Sequence, residues 1–316
     1  MTIVLAGAAW CRLSAQEAEV RPLNTGASGF LTLPADARSA AMAGTGIALP
    51  ASPQAVFHNG AATAGSEGPD HGFGYTYSPW MRSYASGYSL HTASGYWRLD
   101  SRQAVMGGFR YYGCPELTMA DTKLAPREWA AEVGYAYRLL DGLSVAATAR
   151  YVRSDMGGGM AAGTVAFDVS AFYRHSLPLL PDAEWSVGVR ASNMGARLKY
   201  GASKADLPSQ LAAGGAVTLP FMLLHKLTLT ADVCFRMQPT DVQAVSVSAG
   251  AEYTLLDVLH LRGGYHYGDK QKADYSYGSA GAGLSLYGAR LDFGILFADK
   301  ECPFRNTWSV SAGFCF

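Results

Sequence analysis

The chain has 316 residues with 25 basic and 25 acidic side chains, so its formal net charge is zero. That balance excludes a protein built mainly to bind nucleic acid, because phosphate contacts need a surplus of Lys and Arg. Charged residues are 16% of the chain, against about 25% in soluble domains, and no run of about 18 apolar residues occurs, which excludes a membrane-spanning helix.

Thr2 to Trp10 is a short apolar run, followed by small residues up to Ala15. It reads as the apolar and cleavage regions of a secretory signal over 1–18, cut after Ala15 or Ala18. The usual basic start is missing, so an earlier true start is expected.

Residues 19–71 are rich in Ala, Gly and Pro and show no sustained alternation. Ala35 to Ala43 predicts a short helix, with Asp36 near its start and Gly44 as its stop. Pro50, Pro53 and Asn59-Gly60 mark turns. The charge content is too low for a disordered linker. The segment is expected to be a plug or hatch inside or under a barrel formed by the remaining residues.

From Gly72 onward, period-two alternation predicts fourteen strands. They lie at roughly 72–79, 86–99, 103–112, 129–139, 143–152, 165–174, 185–192, 211–219, 227–235, 245–253, 259–267, 280–287, 290–298 and 308–316. In 227–235, Leu227, Leu229, Ala231, Val233 and Phe235 oppose Thr228, Thr230, Asp232 and Cys234. Side chains of a strand alternate between faces, so one face suits lipid and the other something polar. The connections alternate long and short, as in barrels whose short turns face the periplasm and whose longer loops face outward. The expected fold is all-β: a 14-stranded antiparallel transmembrane barrel over 72–316, both termini periplasmic. Phe314 and Phe316 on the final alternating strand resemble the assembly signal of bacterial outer-membrane barrels.

The polar faces carry both signs: Glu132, Arg138, Arg150, Asp168, Arg174, Arg190, Asp232, Glu252, Arg262, Arg290 and Asp292. Balanced charge in a narrow lumen predicts paired networks that hold a plug, rather than a selective path. Tyr75, Tyr77, Tyr111, Tyr112, Tyr265 and Tyr267 read as interfacial girdle residues. Cys114, Cys234, Cys302 and Cys315 match no zinc or redox spacing and are expected as free thiols, with a Cys114–Cys302 loop disulfide as the alternative. His260 and His266 share one strand face but stand about 20 Å apart, too far for one metal. No G-x-S-x-G, H-E-x-x-H or P-loop motif occurs. Neither catalysis nor a cofactor is expected.

Residues 24–65, NTGASGFLTLPADARSAAMAGTGIALPASPQAVFHNGAATAG, resemble the N-terminal signature of the PorV/PorQ family of Bacteroidota outer-membrane proteins. Asp36, Arg38, Met42 and Asn59 sit at matching places; His58-Asn59-Gly60 replaces the family's Trp-Asn-Pro. The resemblance continues through Tyr77-Ser-Pro-Trp80, Gly95-Tyr-Trp-Arg-Leu-Asp100, Phe109-Arg-Tyr-Tyr112, Ser192-Asn-Met-Gly195 with Leu207-Pro208, Gly250-Ala-Glu-Tyr253 and Leu261-Arg-Gly-Gly-Tyr265. It is closer to PorV than to PorQ. The family is similar in fold to FadL-type barrels with an N-terminal hatch.

The resemblance implies work in type IX secretion: receiving the C-terminal signal domain of cargo at the translocon barrel and carrying it to the sortase-like surface attachment machinery. Outer-membrane lipid would surround the wall. The two longest loops, 113–128 and 193–210, are nominated for cargo contact through Glu116, Lys123, Lys199, Tyr200 and Asp206. The alternatives are a FadL-like transporter of hydrophobic small molecules, an accessory subunit of another outer-membrane machine, and an outer-membrane hydrolase, disfavoured because the outward loops offer no Ser/His/acid set.

Overall fold

The structure is a computed structural model that describes residues 28–82, 86–119, 122–178 and 180–316. The signal reading of 1–18 and the start of the hatch lie outside the described residues.

A 3-10 turn (Gly29–Thr32) and three short helices precede the strands: α1 (Ala37–Ala41), α2 (Ala55–His58) and α3 (Ala62–Gly65). Then come β1 (His71–Pro79), β2 (Ser89–Arg98), β3 (Gln103–Gly113), the short pair β4 (Leu117–Met119) and β5 (Thr122–Leu124), and β6 (Arg127–Leu140). Next are β7 (Leu143–Asp155), β8 (Ala161–Ser176), β9 (Glu184–Gly195), a second short pair β10 (Leu198–Tyr200) and β11 (Ser203–Ala205), and β12 (Gln210–Phe221). The last six are β13 (His225–Arg236), β14 (Ala244–Leu255), β15 (Leu259–Tyr267), β16 (Tyr277–Leu286), β17 (Ala289–Phe297) and β18 (Trp308–Cys315).

Leaving out the two short pairs, fourteen strands form one closed barrel, in chain order, with β18 returning to β1. All fourteen predicted strands are present. The second is shorter than expected, starting at Ser89 rather than 86. The helix expected at 35–43 covers Ala37–Ala41, with Asp36 as its N-cap accepting from Ser39 N–H. The two short hairpins were not foreseen, because three-residue strands are too brief to show a period.

Alternation decides which face is wet. In β14 the outward Val245, Val247 and Ala249 are exposed, while Ser246, Ser248 and Gly250 are buried toward the lumen. A closed ladder leaves no unpaired strand edge, which lipid could not satisfy. The connections 99–102, 141–142, 177–183, 222–224, 256–258 and 287–288 gather at one end of the barrel and the others, mostly longer, at the other end; the exception to the expected alternation is β7–β8, where 156–160 is shorter than 177–183. Tyr112 differs from the other girdle tyrosines. It points into the barrel and stacks on Phe30 at 6.3 Å, because Arg110 and Tyr112 share the lumenal parity of β3.

Residues 28–68 lie within the ring of inward side chains. They begin near the long-loop end, where Ser28 Oγ donates to Glu128, and finish near the short-turn end, where Arg98 donates to the carbonyls of Thr63, Ser66 and Gly68. Apolar packing accompanies both ends. Phe30 and Leu31 join Trp80, Leu90 and Leu296; Val56, Phe57 and Ala61 join Tyr96, Met106 and Phe172.

Candidate functional site: the hatch lock and the loop end

Residues 28–68, the segment expected as a hatch, have little regular structure, so their backbone polar groups need partners from elsewhere. The wall supplies them. Thr92 donates to Ala35 O, Ser144 to Ala61 O, Ser186 to Ala48 O and Arg138 to Ala64 O. Ser311 and Ser279 accept from the N–H groups of Ala37 and Ala43. Asp232 on β13 takes the N–H groups of both Gly46 and Ile47, at 2.8 and 3.1 Å. Asn59 donates to Ile47 O at 2.8 Å and to Ala171 O of β8 at 3.0 Å.

Close approach requires small wall residues. A Cβ on Gly188 would stand 2.2 Å from Ile47 O, and one on Gly250 would stand 2.7 Å from the Met42 Cβ. Met42, fully buried, therefore presses directly on the wall backbone.

Two charge networks sit behind these contacts. On one side of the lumen, Glu132 takes Arg110 Nε at 2.9 Å and Arg150 Nη2 at 2.6 Å, and Asp168 takes Arg150 at 2.8 Å and also Arg190. Two further arginine donors reach the hatch: Arg110 Nη1 bonds Leu31 O at 2.8 Å, and Arg190 bonds Phe57 O. A bulge between β8 and β9 makes this network possible. It places Asn193, at φ +58°, with its N–H on Asp168 and its side-chain oxygen on Arg150.

On the other side, Arg38 of α1 grips Glu252 of β14 with two bonds, at 3.0 and 2.7 Å. Arg262 bonds the same carboxylate at 2.5 Å and faces Asp292 at 2.8 Å, and Arg290 donates to Asp292 at 2.7 Å. Paired, bidentate charges are the arrangement that tolerates burial. Burial alone would lower the Arg38 pKa, but the Glu252 carboxylate outweighs that and raises it.

A third lock lies within the hatch. His58 Nε2 stands 2.5 Å from Asp36 Oδ2, tying α2 to the cap of α1. Of the four residues that carry the resemblance, Arg38, Met42 and Asn59 contact the wall, and Asp36 caps α1 and holds His58. His58 and the triple grip of Arg98 were missed. Arg98 fell in a strand by pattern, and no local signal says what it reaches.

The nominated loop residues are not gathered together. Glu116 is exposed just before β4, and Lys123 pairs with Thr118 across the β4–β5 hairpin. Lys199 is exposed on β10, whereas Tyr200 packs against the buried cluster around Leu198 and Leu207, and burial pushes its hydroxyl up to about 12. Asp206 accepts from Arg197 Nε at 2.5 Å. Phe314 and Phe316 stand 5.7 Å apart, and Phe316 packs edge-on to His71 at 5.1 Å. Cys234, Cys302 and Cys315 are free thiols, so the alternative Cys114–Cys302 loop disulfide is not formed. No cluster of three or more His, Cys, Asp or Glu able to hold a metal occurs among the described residues.

A family model described as "Type IX secretion system protein PorV" matches residues 15–243. No curated protein matches the chain. Among solved structures, the toluene transporter TbuX of Ralstonia pickettii shares 15% identity over 89% of this chain and 98% of its own, at a TM-score of 0.59. The monoaromatic hydrocarbon channel CymD shares 14% over 90% and 98%, at 0.61. A FadL homologue of Pseudomonas aeruginosa shares 12% over 89% and 98%, at 0.56. At these identities the likeness is one of fold.

Proposed function

The chain belongs to the family of the type IX secretion system protein PorV, and from that premise we propose that it is a cargo carrier of the outer membrane. It takes the C-terminal signal domain of a secreted protein from the translocon barrel and delivers it to the sortase-like attachment machinery. The short-turn end and the C-terminus lie in the periplasm, and the long loops face outward. Residues 19–71 form the hatch, and 1–18 the export signal.

The observation that carries this reading is the hatch. Wall groups from β2, β3, β6, β7, β8, β9, β13, β14, β16 and β18 hold it in the lumen by hydrogen bonds or ion pairs. A lumen tied across in this way favours work at the outer surfaces over flux through the middle. The β10–β11 hairpin, braced underneath by Leu198 and Tyr200, offers Lys199 as a cargo contact. Glu116, Lys123 and Asp206 complete the proposed contact set, with Asp206 orienting Arg197.

Purification in mild detergent from the native membrane, followed by mass spectrometry of co-purifying proteins, tests this. Recovery of a very large barrel, or of proteins sharing a C-terminal sandwich domain, supports the carrier. Recovery of the barrel alone with bound fatty acid or aromatic hydrocarbon replaces it with a FadL-like transporter.

A further inference from the structure

Three neighbouring turns at the short-turn end are unusually apolar. They are Met222-Leu223-Leu224 between β12 and β13, Leu256-Asp257-Val258 between β14 and β15, and Tyr287-Gly288 between β16 and β17. Leu223 is 99% exposed, Tyr287 93% and Met222 80%. The turns form one continuous rim. Leu256 N–H donates to Leu224 O at 2.8 Å, and Ser285 N–H to Val258 O at 2.8 Å.

Turn geometry does not ask for these residues. Met222, Leu256 and Tyr287 have φ of +56°, +59° and +49°, a conformation that Gly, Asn or Asp adopts at less cost. Two of the other three short turns, β2–β3 and β6–β7, use such chemistry. Asp100 accepts from the N–H groups of Arg102 and Gln103, and the β6–β7 turn is Asp141-Gly142. Large apolar groups at exposed, left-handed positions are unfavourable both locally and in water, so an apolar medium must meet them.

The lipid-facing wall runs straight into this rim. Leu219, Leu227 and Leu229 lead to Phe221, which stands with His225 and Tyr253 as an outward aromatic group. Asp257 is the one charged residue in the three turns, and Lys226 neutralises it at 2.8 Å.

We propose that the three turns between β12 and β17 are immersed in the lipid leaflet at the short-turn end, so that the barrel sits deeper on this side than at its β2–β3 and β6–β7 turns. Their occupant is phospholipid, in the interfacial layer where apolar side chains partition favourably. This rests on the outer-membrane barrel and not on the carrier function.

The test uses the purified full-length barrel, alone, in phosphatidylethanolamine/phosphatidylglycerol vesicles. All native cysteines are replaced by Ser, and one bimane-labelled cysteine is placed by Leu223→Cys or, as comparison, by Asp141→Cys. Heat-shifted gel mobility confirms that each barrel has folded. The Leu223 probe is expected to be quenched by doxyl-labelled lipid and shielded from aqueous iodide, and the Asp141 probe to show the reverse. Tyr287→Cys reads the same rim at a second turn should Leu223→Cys not assemble. Equal iodide quenching at the rim and at Asp141 overturns the proposal, and leaves a protein partner as the cover for these turns.

Discussion

Phe316 and His71 exchange both of their backbone hydrogen bonds, N–H to O at 3.0 Å in each direction, and so extend the seam where β18 closes on β1. The Phe316 ring then packs against His71, Trp97 and Phe314. Phe316→Ala keeps the backbone bonds and removes those ring contacts, at a cost of about 1 kcal/mol per aromatic pair. The folded, heat-modifiable fraction after assembly is expected to fall. An unchanged yield would count against the assembly-signal reading of Phe314 and Phe316.

Arg38 is the hatch's only arginine between Ser28 and Ser66, and both its bonds fall on Glu252. Arg38→Met leaves a carboxylate still held by Arg262, so the barrel is expected to close normally. The hatch loses a buried ion pair, worth roughly 3 kcal/mol when one partner is removed. Faster limited proteolysis within 37–60, with barrel mobility on gels unchanged, is the expected result. Glu252→Gln in the same chain should add less than it does alone, because the two act as one pair. Full additivity would break the link.

Gly188 of β9 and Gly215 of β12 lie nearly opposite each other on paired strands, with opposite consequences. A Cβ at Gly188 meets Ile47 O at 2.2 Å, whereas at Gly215 its nearest neighbour is Ser186 O at 3.9 Å. Gly188→Ala is expected to cost about 1–3 kcal/mol through forced displacement of the hatch, and Gly215→Ala close to nothing. Unfolding in urea within lipid vesicles compares them, and equal midpoints would mean the hatch does not press on β9.

Asp36 gives the hatch a definite response to acid. Burial alone would raise its pKa, but the charge and hydrogen bond of His58, with the N–H and hydroxyl of Ser39, hold the carboxyl well below the usual carboxylate range. A carboxyl lowered on folding contributes fully above its unfolded pKa, about 3.9, and loses that contribution as pH falls toward the folded value. Hydrogen exchange of the α1 amides should therefore stay slow at neutral and mildly acidic pH and rise in strong acid. Asp36→Asn should flatten that rise. The same acid dependence in the variant would assign it to other groups.

The barrel was legible because alternation is a local property. Leu227 to Phe235 announce their apolar and polar faces without reference to any other strand, and lipid selects between faces with period two. What the sequence could not carry is which groups meet inside. Arg38 and Glu252 are 214 residues apart, and Ala37 and Ser311 are 274 apart. Tyr112 was assigned to the girdle because a tyrosine beside Tyr111 looks the same in sequence on either face. Its place in the lumen follows from the register of β3 on its neighbours. The residues themselves thus determined strand number and faces. Only closure of the ring decided the locks, because register and strand stagger accumulate around the barrel before any two distant side chains are brought within bonding distance.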